Sequence, residues 1–279
     1  MISPKKILWC GKNSTEMGCR TDVSFNSDDG ATESYLSKEA VSSDSYDGTM
    51  RRTHMYRYTD VLSAQFTFTK EDRTEFTRDE NRIMLAWLTA KKTNGILSIY
   101  FENTDEPEYE LIGNFTSVET EKLANSRIVG YTCTFECISP YAYSPIYKNS
   151  YTVADSLSFI LRSHSDEYDS YIYPKITITT NATTDVSITN HSVTTTVSTD
   201  EGERTVPIVT SLKNNVNQET VVLDGTNRIA YSNRSTRVIG EDFSWTSWMP
   251  LAVGKNNITV DGACTINFEW REPRKVGSL

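Results

Sequence analysis

Apolar residues recur at every second position through much of the chain, the spacing of a pleated strand with one face buried. Leu62, Ala64, Phe66 and Phe68 share one side of such a stretch, with Ser63, Gln65, Thr67 and Thr69 on the other. Leu97, Ile99 and Phe101 repeat the pattern after an Asn94-Gly95 turn signal, and Tyr131, Cys133, Phe135 and Cys137 repeat it opposite Thr132, Thr134 and Glu136. A helical period interrupts once. Thr77-Arg78-Asp79-Glu80 has the form of a capping box, with acids in the first turn and Ile83, Ala86, Trp87 and Ala90 at helical spacing. Lys91 and Lys92 suit the C-terminal end of that helix, where the dipole favours cations. The spacing predicts a helix covering one sheet face with Trp87 as its main apolar contact, an α+β arrangement for the first half.

Residues 26–57 break the pattern. Asn-Ser-Asp-Asp-Gly, Ser-Ser-Asp and Tyr-Asp-Gly follow one another with few apolar positions, which reads as a long exposed loop or arm and a candidate contact element. The prolines of Ile138-Ser-Pro-Tyr-Ala-Tyr-Ser-Pro145 mark a join, dividing the chain into expected domains 1–145 and 146–279. A second, short helix is expected from Asp155 through Leu161, although so short an apolar run fits a strand as well. Short Thr-, Val- and Ile-rich strands then follow: Lys175–Thr180, Val186–Asn190, Val193–Ser198, Val221–Leu223, Arg228–Tyr231, Ile258–Val260 and Cys264–Trp270. Asp224-Gly225, Val253-Gly254 and Asp261-Gly262 separate several of them, as in a β-sandwich. The fold class read from this pattern is mainly β.

Composition narrows the function classes. Over 279 residues, 28 Lys+Arg stand against 37 Asp+Glu, a net charge of −9 that argues against a nucleic-acid clamp. No apolar run reaches the ~18 residues that span a bilayer, and the N-terminal lysines precede too few apolar residues for a signal peptide. Five cysteines, an odd count, make a disulfide scaffold improbable, although Cys10 and Cys19 flank a segment that a bridge would suit. Sequons at Asn13, Asn114, Asn181, Asn190, Asn233 and Asn257 have meaning only in a secretory compartment that nothing else signals.

Chemistry-bearing groups are scattered. His54, His164 and His191 lie far apart and read as surface residues. Cys133 and Cys137, four residues apart on a strand, are separated by roughly 13 Å, too far for one zinc ion. No Gly-x-Ser-x-Gly elbow or phosphate loop occurs, and the pairs Asp28-Asp29 and Asp200-Glu201 fall in polar turns. We therefore expect no catalytic residue, metal or cofactor. Arg51, Arg52 and Arg57, with His54, form the one basic cluster, either a solvated face or a docking surface for an acidic neighbour such as another copy. Trp245, Trp248 and Trp270 are either core residues or a sugar-stacking platform, with Trp245 the least constrained.

Several segments match a known pattern in order: Arg82-Ile-Met-Leu-Ala-Trp-Leu-Thr89, the Leu97–Phe101 strand, Gly130-Tyr-Thr-Cys-Thr-Phe-Glu-Cys-Ile-Ser-Pro-Tyr-Ala142, Tyr173-Pro-Lys-Ile-Thr-Ile178, Glu219-Thr-Val-Val-Leu-Asp224, Trp248-Met-Pro-Leu251, Gly254-Lys-Asn-Asn-Ile-Thr-Val-Asp-Gly262 and Arg271-Glu-Pro-Arg-Lys275. From about residue 60 onward the chain resembles the distal tail proteins (Dit) of long-tailed bacteriophages infecting Gram-positive bacteria. The resemblance implies a structural, non-enzymatic virion component, made in the host cytoplasm and placed at the distal end of the tail. It implies an N-terminal half forming a hexameric ring, with a belt-like arm gripping the neighbour, and a C-terminal galectin-like β-sandwich projecting outward. The implied partners are further copies, the tail tube protein, the tail-tip hub or tail-associated protein and the tape-measure protein, with genome DNA passing through the channel and no membrane contact. The competing expectation is a carbohydrate-binding module contacting the host wall through Trp245.

Overall fold

Alternation of buried and exposed side chains sets the architecture. In the computed structural model, which describes residues 3–25, 38–44, 51–101, 105–123, 127–199, 202–243 and 248–276, twenty strands and two helices are found, so the protein is mainly β. The chain divides into two units: residues 1–145 together with the segment from Arg274, and residues 146–273.

The first unit is built on an antiparallel sheet whose main path runs Lys12–Asn13, Lys6–Trp9, Gly95–Tyr100, Tyr109–Leu123, Arg127–Cys137, Ser63–Lys70 and Cys19–Phe25. Leu62, Ala64, Phe66, Phe68, Tyr131, Cys133 and Phe135 are each no more than 1% exposed, as their period of two requires. Gly113 sits where strands crowd: a Cβ there would lie 2.0 Å from the Glu136 carbonyl oxygen. Trp9 meets Phe115 and Phe135 edge-to-face at 5.6 Å, although two strands separate Trp9 from Phe135 in the sheet, so the sheet is strongly curled. Val276, from the chain's end, is buried in the same core.

The helix runs Arg78–Leu88 and opens on the expected capping box, with Thr77 Oγ1 accepting from the Glu80 N–H and the Glu80 carboxylate accepting from the Thr77 N–H at 2.7 Å. Trp87 packs edge-to-face on Phe68 at 5.7 Å and its indole N–H donates to the Trp9 carbonyl at 2.9 Å. The buried stripe differs from the one read in the sequence. Met84, Trp87 and Leu88 face the core, while Ile83, Ala86 and Ala90 are exposed, because two overlapping 3.6-residue stripes share Trp87. Lys91 and Lys92 lie beyond the Thr89 C-cap, leaving the last turn without a cation.

In the second unit, two antiparallel sheets enclose one core. The first orders Tyr147–Val153, Cys264–Trp270, Lys175–Thr180, Thr220–Asp224 and Ile229–Ser232; the second orders Ser156–Ser163, Gly254–Asp261, Val186–Thr199 and Gly202–Leu212. This is a β-sandwich. The short helix expected from Asp155 is instead the Ser156–Ser163 strand: Leu157, Phe159 and Leu161 turn inward while Ile160 stays 50% exposed, a period of two. Val186–Asn190 and Val193–Ser198 are one strand, broken by an irregularity between Asn190 and Thr194. Gly202–Leu212 forms a sheet edge and includes Pro207, which has no N–H to offer. Gly262, at φ 107°, makes the turn between the Gly254–Asp261 and Cys264–Trp270 strands.

Phe135→Ala is expected to destabilise the protein by about 3–5 kcal/mol, since it deletes a fully buried ring touching Trp9, Phe66 and Phe115. Urea unfolding followed by tryptophan fluorescence measures this, and a cost below about 1 kcal/mol would contradict the packing.

Candidate functional site

The region read as a loop contains regular structure. Lys38–Asp44 pairs antiparallel with Arg51–Tyr58, from Lys38↔Tyr58 to Asp44↔Arg51, and this two-stranded sheet joins no other strand among the described residues. The expectation of a loop over 26–57 is corrected for these two stretches, whose pairing is a backbone ladder that few apolar side chains announce; residues 26–37 and 45–50 lie outside the described residues. At the arm's root Tyr58 meets Tyr141 edge-to-face at 5.3 Å, and the Lys38 ammonium lies 4.6 Å from the Tyr58 ring centre. Met55 and Tyr56 are 59% and 65% exposed on it.

Arg51 and Arg52 stand opposite Asp44 and Ser43 in this ladder, and their side chains lie outside the described residues. Arg57 is exposed and ion-paired with Glu39 across the strands. Trp245 lies outside the described residues, as do Asp28-Asp29 and Asp200-Glu201. Trp248 and Trp270 are 7% and 5% exposed in the sandwich core, so they offer no open stacking platform. Asn190 is fully buried, donating to the Pro250 carbonyl at 2.7 Å and to Asn256 Oδ1 at 3.1 Å, and so serves packing.

Four of the five thiols are inert by position, while Cys10 is half-buried. All five cysteines are free, and burial pushes Cys19, Cys133 and Cys137 up to about 12 and Cys264 up to about 11. Asp155, Asp185 and Asp261 line a hollow of about 430 Å³, but Asp261 accepts from Ser156 at 2.6 Å and Asp185 from the Asn214 N–H at 2.9 Å. Among the described residues no group of three or more His, Cys, Asp or Glu is placed to hold a metal ion, and no helix is long and apolar enough to cross a membrane.

The strongest electrostatic feature was not visible in the sequence. Glu219, with a fully buried side chain, accepts from Ser232 Oγ at 2.6 Å, from Arg237 Nη1 at 2.6 Å, from Arg234 Nη1 at 3.3 Å and from the Val216 N–H at 3.1 Å. Arg237, 3% exposed, also donates to Asn215 at 3.0 Å and to Asp242 at 3.2 Å. Burial alone would raise the Glu219 pKa, but these hydrogen bonds and the Arg237 charge outweigh it and hold the carboxyl at about 2. With both oxygens taken up by its own fold, Glu219 is a structural anchor and not a general acid.

A family model described as a phage tail protein N-terminal domain matches residues 7–139, and one described as a phage tail C-terminal domain matches residues 141–270. The chain belongs to this phage tail protein family, in keeping with the distal tail resemblance read from its segments. Among solved structures, the Dit protein of phage SPP1, described as a paradigm of the hub adsorption apparatus in phages infecting Gram-positive hosts, is similar over 95% of this chain and 98% of its own, with a TM-score of 0.62 at 13% identity. The phage p2 baseplate in its activated conformation with Sr is similar over 99% of this chain and 100% of its own, with a TM-score of 0.50 at 11% identity. At these identities the likeness is one of fold. A search of curated proteins returns no match. The protein is a structural component of a phage tail.

Because Glu219 titrates lower in the folded state than its ordinary 4.5, the stabilisation it confers is complete above that value and is lost as pH falls toward 2. Glu219→Gln is expected to cost about 3 kcal/mol or more at pH 7, by leaving Arg237 buried without its counter-charge, and to flatten the acid limb of the stability profile. Urea midpoints from pH 7 to pH 3 check both.

Proposed function

We propose that the protein forms a ring at the distal end of the tail, joining the tail tube to the tail-tip hub and leaving a channel through which DNA passes. Residues 1–145 make the ring, six-fold as the distal tail resemblance implies, and the sandwich from residue 146 projects outward. The observation that carries this reading is the match of phage tail family models across residues 7–270. The arm supports it. A solitary two-stranded sheet is marginally stable in water, and one bearing exposed Met55 and Tyr56 gains most by lying against another copy. Arg51, Arg52 and Arg57 give it a basic character suited to an acidic neighbour, and the chain's −9 charge makes another copy such a neighbour. The same excess of carboxylates favours a negative lumen that repels passing DNA.

Light scattering on the full chain is expected to give a closed oligomer, and negative-stain images of it to show rings; a monomer at high concentration, with no ring on isolated tails, would contradict the reading. Reversing Arg51 and Arg52 together to Glu is expected to weaken assembly by about 0.5–2 kcal/mol, with the loss shrinking as salt is raised. Sedimentation at two ionic strengths measures it.

A further inference from the structure

The Arg78–Leu88 helix carries two apolar stripes, and the fold of the unit uses one. Ile83 is 46% exposed, and Ala86 and Ala90 lie open beside it. With Cys10 these three line a shallow groove of about 350 Å³, rimmed by Lys12 and Arg82. An apolar helix face left in water with cations at its border has the make-up of half an interface.

Charge and position select what fills it. Another copy of this acidic chain presents mostly negative surface to a basic rim. The arm has the wrong sign, since Arg51, Arg52 and Arg57 would bring like charge to Lys12 and Arg82. The end of the hairpin formed by Tyr109–Leu123 and Arg127–Cys137 has the right one. Leu123 is 61% exposed there, and the exposed Glu119 and Glu121 precede it on the same strand, Glu121 accepting from the Thr132 hydroxyl at 2.6 Å and the pairing shifting register between Glu121 and Lys122. Arg127, opposite Leu123, is ion-paired with Glu75 at 3.1 Å, and the Phe76 N–H donates to the Ile128 carbonyl at 2.8 Å. These contacts hold the hairpin's end near the start of the helix, whereas the groove lies from Arg82 toward Ala90. A tip near one end of the helix and a socket toward the other suit contact between copies, head to tail.

We propose that the Leu123 tip of one copy seats in the Ile83, Ala86 and Ala90 groove of the next, with Glu119 and Glu121 facing Lys12 and Arg82. The proposal rests on the ring reading above and gives it a repeating heterologous contact. Its test uses a native handle: Cys10 lines the groove and the other four cysteines are buried. In the full-length L123C variant, diamide takes two electrons and two protons from the facing thiols, and non-reducing gels are expected to show a ladder of covalent oligomers. Adding C10S to L123C is expected to abolish the ladder; one that survives C10S joins tip to tip and overturns the proposal. At the exposed groove position, I83R is expected to raise the concentration for half-assembly about tenfold, equivalent to ~1.4 kcal/mol. If L123C gives no ladder and I83R assembles as the parent does, the groove assignment falls while the ring reading stands. A parent chain that never leaves the monomer overturns both.

Discussion

Trp9, Phe66, Phe115 and Phe135 come from four strands and interlock with ring centres 5.1–6.4 Å apart, and the rest of the first unit depends on that contact. Trp9 reaches Phe135 only if the sheet curls, and curling creates the concave face that the helix closes. An eleven-residue helix is marginal alone, so its place is set by this core: Trp87 fills the remaining space and ties its N–H to the Trp9 carbonyl. The opposite face of the helix, released from any packing duty, is then available to other molecules.

The second unit is anchored by polar groups as much as by its apolar core. Glu219 and Arg237 fix the Asn215 turn and the segment leading to Asp242, while Asn190 and Asn256 hold the Pro250 and Ala252 carbonyls. Such pairs add little net stability over an apolar filling, yet removing one partner is costly, so they constrain which loop conformation accompanies the sandwich.

Strands with strict alternation were legible: Leu62 to Phe68, Tyr131 to Cys137 and Cys264 to Trp270 announce their buried faces residue by residue. Tyr147–Val153 drew no expectation because it is an edge strand with most side chains in water, so its pairing leaves little side-chain trace. The arm's ladder was hidden for the same reason. Helix phase was ambiguous because Trp87 belongs to both stripes, and only the curl of the sheet decides between them. Glu219 and Arg237 are brought together by the turn between two short paired strands, a proximity that eighteen residues of sequence separation conceal. Of the candidate contact residues, Arg57 is exposed, and its partner Glu39 is apparent only from the strand register.

The second sheet of the sandwich has a free edge that its sequence guards. The Gly202–Leu212 edge would be a natural template for open-ended fibre growth, being long and rich in β-branched residues. Pro207 deletes one amide from the middle of that row, and Glu203 and Arg204 burden it with exposed charge. Sheet-to-sheet zippering between sandwiches is thereby discouraged, so an exposed strand edge does not act as a template for fibre growth.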